Sequence, residues 1–297
     1  MTKDYVLMQI ANSIAANVQK MKGPGLLDGQ MGAVVFLYHY ARYSDHSVYS
    51  DLADLMLDEI SYIQLAQYKQ LSFSNGLSGI GWSINHLSKE QFLNVDDALM
   101  NFFDDSLVRG IKASIDEDML DSGIYLASCR QGLLDVALVS VLNKQVSEFL
   151  HSTCHPLSVL NKILAIAIRL THQHHLQWCD TLPDTALNTI ENEFYRRSDV
   201  LICKELIEVY HRKDDNKSWD ILLDRCKSIL SESDLQIEDC LETVWQYLVF
   251  LDSAHKEKLD IDRIAVNVSE ILKDINEEDL YLSSGLPAMG LGLLLSP

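Results

Sequence analysis

The sequence predicts an all-α protein of stacked helical hairpins, and three observations lead there. Glycine-centred strings open apolar runs at a near-constant interval, helical segments lie between those runs, and strand signals are almost absent. The two strongest strings are Gly25-Leu26-Leu27-Asp28-Gly29-Gln30-Met31-Gly32, before Ala33 to Tyr40, and Asn75-Gly76-Leu77-Ser78-Gly79-Ile80-Gly81, before Trp82 to Leu87. Weaker copies are Gln131-Gly132-Leu133-Leu134, before Val136 to Leu142, and Ser284-Gly285-Leu286-Pro287-Ala288-Met289-Gly290, before Leu291 to Leu295. Between the markers Gly29, Gly76, Gly132 and Gly285 the intervals are 47, 56 and 153, the last being three of 51. A period of roughly 50 residues marks a repeat architecture.

Taken in order, each element has a local reason. Tyr5, Val6, Ile10, Ile14 and Val18 share one helical face and predict a first helix. Each glycine string then puts small residues before an apolar helix, so several helix starts can crowd around one point. The intervals leave room for a return helix in each repeat, such as Ser50 to Leu65 and Leu157 to Leu170. In the latter Leu157, Leu160, Ile163, Leu164 and Ile168 recur at three and four. Glycine-started helices are expected inside and return helices outside. The unmarked middle holds its stations near Trp178 to Ala186 and Asp239 to Leu251. The last helix, Leu286 to Leu295, has no return partner, so the first helix is expected to pack against it and close the array. No Pro-rich or Gly/Ser-rich linker interrupts residues 1–297, which predicts a single domain.

The strings Gly25 to Ala41 and Ser74 to Leu87 resemble the inner-helix motifs of the lanthionine synthetase C-like proteins, the cyclases of lanthipeptide biosynthesis and their relatives. The resemblance implies an α/α toroid, a ring of inner helices within a ring of outer ones, with six to seven hairpins here. It places Gly25, Gly29, Gly32, Gly76, Gly79 and Gly285 at the ring mouth.

The family's chemistry rests on zinc, held by two thiolates and one histidine from a Trp-Cys string and a Cys-His-Gly string at adjacent inner-helix starts. Zinc in such a site holds the substrate cysteine as thiolate for attack on a dehydrated serine or threonine. Trp178-Cys179-Asp180-Thr181-Leu182-Pro183-Asp184-Thr185-Ala186 resembles the first string but has Thr181 and Asp184 where glycines are expected. Cys179 is thus either a ligand or a buried cysteine at a helix start. Cys154-His155-Pro156 copies the Cys-His pair, yet its phase assigns it to an outer helix. Cys240-Leu241-Glu242 keeps the cysteine at the next inner station and lacks the histidine. No zinc or other cofactor is therefore expected, and Cys179 and Cys240 are the candidate metal ligands if one binds. His172, His174 and His175 near Cys179 read as a polar loop. His39 and His86 each follow their station glycine by ten residues, about 15 Å of helix, in equivalent places on neighbouring inner helices; packing or mutual hydrogen bonding is their expected role.

Active cyclases carry an acid before one inner glycine motif, where this chain has Leu71-Ser72-Phe73-Ser74. Asp28 either caps its helix or aims a carboxylate at the ring mouth. Asp28 and Asp184 are the candidate acids of the basin, and Asp135 joins them if the chain is a carbohydrate-active toroid with two facing carboxylates.

The net charge is −19, from 43 acidic and 24 basic residues, which argues against nucleic acid as a partner. An acidic groove for a basic peptide and a plain solvated surface both fit that balance. No apolar run reaches membrane-spanning length and no signal sequence is evident, so a cytoplasmic protein is expected. Its six dispersed cysteines read as thiols. No phosphate-binding, dinucleotide or nucleophile-elbow motif is present. Three functions remain: a degenerate cyclase-like toroid that binds a peptide or partner protein of a peptide-modification or export system, a zinc cyclase with rearranged ligands, and a carbohydrate-active toroid.

Overall fold

A computed structural model describes residues 1–297 apart from 64–67, 114, 153, 171–175, 211–216, 233–236, 255, 257 and 284; of 61–63, 152, 177 and 237–240 it describes the backbone alone. His172, His174, His175 and Ser284 thus lie outside the described residues, as does the Cys240 side chain. Among the described residues there are fourteen α-helices, 76% helix in all, and no strand. No helix among them is long and apolar enough to cross a membrane.

The helices alternate between two kinds. Those numbered α2 (Gln30–Ser44), α4 (Leu77–Lys89), α6 (Glu117–Cys129), α8 (Leu157–Leu170), α10 (Arg197–Tyr210), α12 (Ile237–Gln246) and α14 (Leu286–Leu295) pack in succession, each on the next, and α14 packs on α2. The described residues of α6 from Met119 to Ala127 and of α14 from Leu286 to Leu293 are all buried. Such all-round burial is what a helix inside a protein requires. The odd-numbered set comprises α1 (Lys3–Asn17), α3 (Ser47–Ile63), α5 (Asp97–Ala113), α7 (Val136–Ser152), α9 (Leu182–Glu191), α11 (Lys217–Ser231) and α13 (Ile261–Ile271). These bury one stripe: in α11 only Trp219, Leu222, Cys226 and Ile229, three or four residues apart, are buried. One hydrophobic core takes side chains from every helix. The first helix packs against α14 through its buried face of Val6, Leu7, Ile10, Ala11 and Ile14, as its amphipathic pattern predicts.

The middle of the chain corrects the sequence reading. Even-numbered helices begin at Leu77, Glu117, Leu157, Arg197 and Ile237, a period of 40 rather than 51. Gly132 is not a station: it lies in a short exposed turn between α6 and α7, and a Cβ there would meet nothing within 4 Å. The third buried helix is α6, whose N-cap is Asp116, its side chain accepting from the Met119 N–H at 3.3 Å. The segment Leu157–Leu170 is likewise no return helix. Its other faces carry Val159, Ala165, Ile166 and Ala167, all buried, so the single stripe was half of the pattern. The Trp178 to Ala186 stretch opens α9, an odd-numbered helix, whereas Asp239 to Leu251 does fall on a buried one, α12 with its π-helical continuation Tyr247–Leu251.

Gly29, Gly76 and Gly285 are the N-caps of α2, α4 and α14, all in extended backbone. Their approach loops are tied together through Leu27. Its N–H donates to the Ser74 carbonyl and its carbonyl accepts from the Ser283 N–H, both at 2.9 Å. Three residues into the helices, the chains touch. A Cβ on Gly79 would stand on the Phe73 carbonyl oxygen and 2.9 Å from the Leu26 Cβ, and one on Gly32 would lie 2.5 Å from the Leu282 Cβ. On the next helix Asp121, buried, accepts from the Phe73 N–H at 2.9 Å and pairs with Lys162 of α8 at 2.7 Å, so α6 and α8 join the same network.

Backbone cannot yield to a methyl as a side chain tip can. Gly79→Ala should therefore cost about 1–3 kcal/mol or more, read in thermal melts as a fall on the order of 5 °C. Gly132→Ala should stay within about 0.5 kcal/mol of the parent. Equal melting temperatures for the two variants would contradict the close approach.

Candidate functional site

The N-terminal approaches of α2, α4, α8, α10 and α14 meet the side of α12 at a cavity of about 670 Å³. Leu27 and Asp28 reach it from the loop before α2, Ser74 from the loop before α4, Pro156 and Ser158 from the start of α8, and Ser283 from the approach to α14. One wall is built by α10 and α12. Arg196, Ser198 and Asp199 come from the start of α10; Glu242, Trp245 and Gln246 come from α12 at spacings that put them on one helical face. Glu193 and Tyr195 complete that side.

Local chemistry holds this wall. Asp199 Oδ2 accepts from the Arg196 N–H at 3.1 Å, an acid at the third helical position reaching back over the helix start. Asn161 of α8 donates to the Asp199 carbonyl at 2.9 Å. Burial pushes the Asp199 carboxyl above its usual range, against the opposing pull of the Arg196 N–H, the Arg196 guanidinium and the Gln246 amide. Glu242 Oε2 receives Arg196 Nη1 at 3.1 Å. Gln246 is 6% exposed, and its enclosed Oε1 has no hydrogen-bond partner among the described residues.

The expected site residues divide. Gly25 lies in the loop before α2, where a Cβ would come within 2.6 Å of the Ser74 carbonyl oxygen, and Gly29, Gly32, Gly76, Gly79 and Gly285 sit at the starts of α2, α4 and α14. Asp28 lines the cavity and does not cap α2, whose N-cap is Gly29 with no side-chain bond. Asp184 is a correction: it is exposed in the first turn of α9, outside the cavity. Asp135 is another, its carboxylate capping α7 at the Leu138 N–H, 2.7 Å away. The carbohydrate reading therefore loses two of its three acids. Cys179 is a buried thiol in the turn between the C-terminal end of α8 and α9 and is not among the residues lining the cavity. Cys154-His155-Pro156 proves to precede α8, not an outer helix. There His155 stacks on Phe149 with ring centres 4.1 Å apart and bonds its carbonyl at 2.9 Å. Among the described residues no group of three His, Cys, Asp or Glu side chains is arranged to hold a metal ion. Sequence reasoning missed Arg196, Asp199, Glu242, Trp245 and Gln246. The 40-residue phase from Leu77 would have located their helix starts.

The C-terminal ends of α4, α6 and α8, with the segment that follows α12, close on a second, smaller cavity of about 200 Å³, lined by Trp82, His86, Lys89, Cys129, Arg169 and Asp252 among others. His39 and His86 meet beside it, Nε2 to Nε2 at 3.0 Å, in the equivalent places the sequence predicts. One ring must donate and the other accept, so at most one can be charged, and burial favours the form in which neither is. Burial and then His86 lower His39 from its ordinary 6.5 to about 4, and burial lowers His86 as well. Burial pushes the Cys129 thiol up to about 12.

The unfolded chain takes up protons at both histidines as pH falls through about 6.5, whereas in the folded chain His39 resists until about 4 and His86 is also held below its ordinary value. Stability from this pair is thus fully present above 6.5 and lost as pH falls through that window. Each histidine contributes a slope of up to about 1.4 kcal/mol per pH unit. Urea midpoints from pH 7.5 to 5 should fall for the parent and fall less for His39→Gln/His86→Gln. An unchanged slope in the double variant would contradict the neutral pair.

No family model matches the chain, and no curated protein or solved structure matches it significantly, so the chemistry of the basin carries the functional reading.

Proposed function

We propose that the chain is an α/α toroid of seven helical hairpins, a lanthionine synthetase C-like protein whose basin receives a peptide or an extended segment of a partner protein within a peptide-modification or export pathway. The observation that carries the reading is the 670 Å³ cavity between the starts of α2, α4, α8, α10 and α14 and the side of α12. Its size falls in the range of built ligand sites, roughly 300–1,000 Å³. The ring is supported by the order of packing, which runs from α2 through α14 and back to α2. The lining supplies backbone, hydroxyl, carboxylate and aromatic groups, a mixture suited to a polar chain rather than to an apolar small molecule.

Binding without zinc cyclisation is the form of this function favoured here. The Trp-Cys string that resembles a ligand motif follows the C-terminal end of α8, while the basin lies at the N-terminal ends. Cys179 in that string is buried in the turn before α9 and does not line the basin.

A fluorescence-polarisation panel of labelled, extended decapeptides of all charge classes tests the proposal. At least one class should bind, and Ser158→Trp, which fills the basin, should weaken it at least tenfold. Asp184→Asn, on the outside, should leave it unchanged. Metal analysis of the same protein should find no zinc that disappears on Cys179→Ala. Peptide binding indifferent to Ser158→Trp would overturn the basin, and Cys179-dependent stoichiometric zinc would restore the cyclase.

A further inference from the structure

We infer that the smaller cavity, at the C-terminal helix ends, is a binding site for a free α-amino acid, recognised through its carboxylate and its ammonium together. It shares no lining residue with the basin, and the inference stands without the basin reading.

Its walls bring charges of both signs to one space without letting them meet. Trp82, Asn85, His86 and Lys89 line it from one face of α4, at helical spacings of three and four. Arg169 reaches it from the last turn of α8, and Asp252 from the end of the π-helical segment Tyr247–Leu251. Such departures from the α-helix are frequent at functional sites. Among the described residues Lys89, Arg169 and Asp252 form no ion pair, with one another or with any other side chain. Asp252 nevertheless acts on the Arg169 guanidinium through space, opposing the lowering of its pKa by burial. Opposite charges that face one cavity and stop short of contact leave room for a ligand carrying both signs in the complementary order.

Arg169 is held in place for a carboxylate. It is half-buried, with Nη1 donating to the Ala165 carbonyl at 3.1 Å and Nη2 to the Val249 carbonyl at 2.9 Å. Both acceptors are uncharged, so they fix the guanidinium without neutralising it, and its planar fork suits a carboxylate. Lys89, exposed at the mouth, donates to the Ser128 carbonyl at 3.5 Å and adds a second cation. At the other pole, the Asp252 carboxylate and the partial negative charge of the helix C-termini favour an ammonium. The polar atoms that a ligand would meet are open: the Asn85 amide, His86 Nδ1, Arg169 Nε and the Asp252 carboxylate have no hydrogen-bond partner among the described residues, and none of them is enclosed. Burial keeps the His86 ring and the Cys129 thiol uncharged at neutral pH, so they leave that balance intact. The volume of about 200 Å³ is roughly that of seven liquid waters, room for a short-chain amino acid and too little for a peptide.

Titration calorimetry of the full chain with each free L-amino acid, up to about 10 mM, tests this. At least one amino acid with a short side chain should bind. Its N-acetyl form, which lacks the ammonium, and its carboxamide, which lacks the carboxylate, should each bind at least about tenfold more weakly to the parent protein. Asp252→Asn and Lys89→Gln, both on exposed residues outside any ion pair, should weaken it by a similar factor, with circular dichroism confirming that the variants are folded. Ser158→Trp, in the basin, should leave it unchanged. The site is overturned if no amino acid binds, if acetate or phosphate binds as tightly as the best amino acid, or if the blocked forms match the free one. It is overturned equally if binding survives Asp252→Asn and is lost in Ser158→Trp, which would move the ligand to the basin.

Discussion

Everything in this molecule hangs on how closely the starts of its buried helices approach one another. Leu27 is the pivot, donating to the Ser74 carbonyl and accepting from the Ser283 N–H, so one residue ties the approaches to α2, α4 and α14. Such contact between backbones is open only to residues without a Cβ, which is why Gly79 and Gly32 stand where Phe73, Leu26 and Leu282 press in. Elsewhere the same convergence is held by polar side chains. Asp121 bridges the loop before α4 to Lys162 of α8, and Asn161 bridges α8 to α10. The cavity is the space these ties leave at the centre of the convergence.

Convergence also gives the two ends opposite electrostatic characters. Parallel helices present partial positive charge at their N-termini and partial negative charge at their C-termini. The chain answers with acids at the first, Asp116 and Asp199 among them, and with Lys89, Arg169 and Arg42 at the second. Arg169 donates to the Ala165 and Val249 carbonyls at 3.1 and 2.9 Å, satisfying helix-end acceptors directly. At the basin Asp199 serves a helix start, while Asp28, Glu193 and Glu242 leave acids in excess of Arg196, the one Arg or Lys among the described lining residues. The histidine pair at the far end shows the converse. Buried and mutually bonded, it is a neutral strut, and its low affinity for protons is the consequence.

The sequence made the fold legible where glycine was the only solution. Gly29, Gly76 and Gly285 announce three of the buried helices, and His39 and His86 could be placed opposite each other from their shared distance to those glycines. It was misleading where another residue does the capping. Asp116 at α6 and Asp199 at α10 secure their helix starts by side-chain bonds, leaving no glycine to see. Gly132 then drew the register off by marking an open turn, and Leu157–Leu170 read as a return helix because only one of its faces was counted. The site suffered most from that slip. Asp184 and Asp135 were expected at the mouth on a false phase, while Glu242 and Gln246 sit unremarkably on an amphipathic helix until α12 is set beside α10. Only Asp28, adjacent to a true glycine station, was found from the sequence, and it faces the cavity because Gly29 takes the cap position.

Native-state hydrogen exchange at the Leu27 and Ser283 amides tests the central claim most directly. Both lie in loops, yet each donates to a carbonyl of a different approach segment. If convergence of the helix starts holds the molecule together, they exchange only with global unfolding, at the protection of the core amides of α4. Exchange of Leu27 at the rate of an exposed loop, with α4 still protected, would show that the helices stand without that tie and would contradict the account.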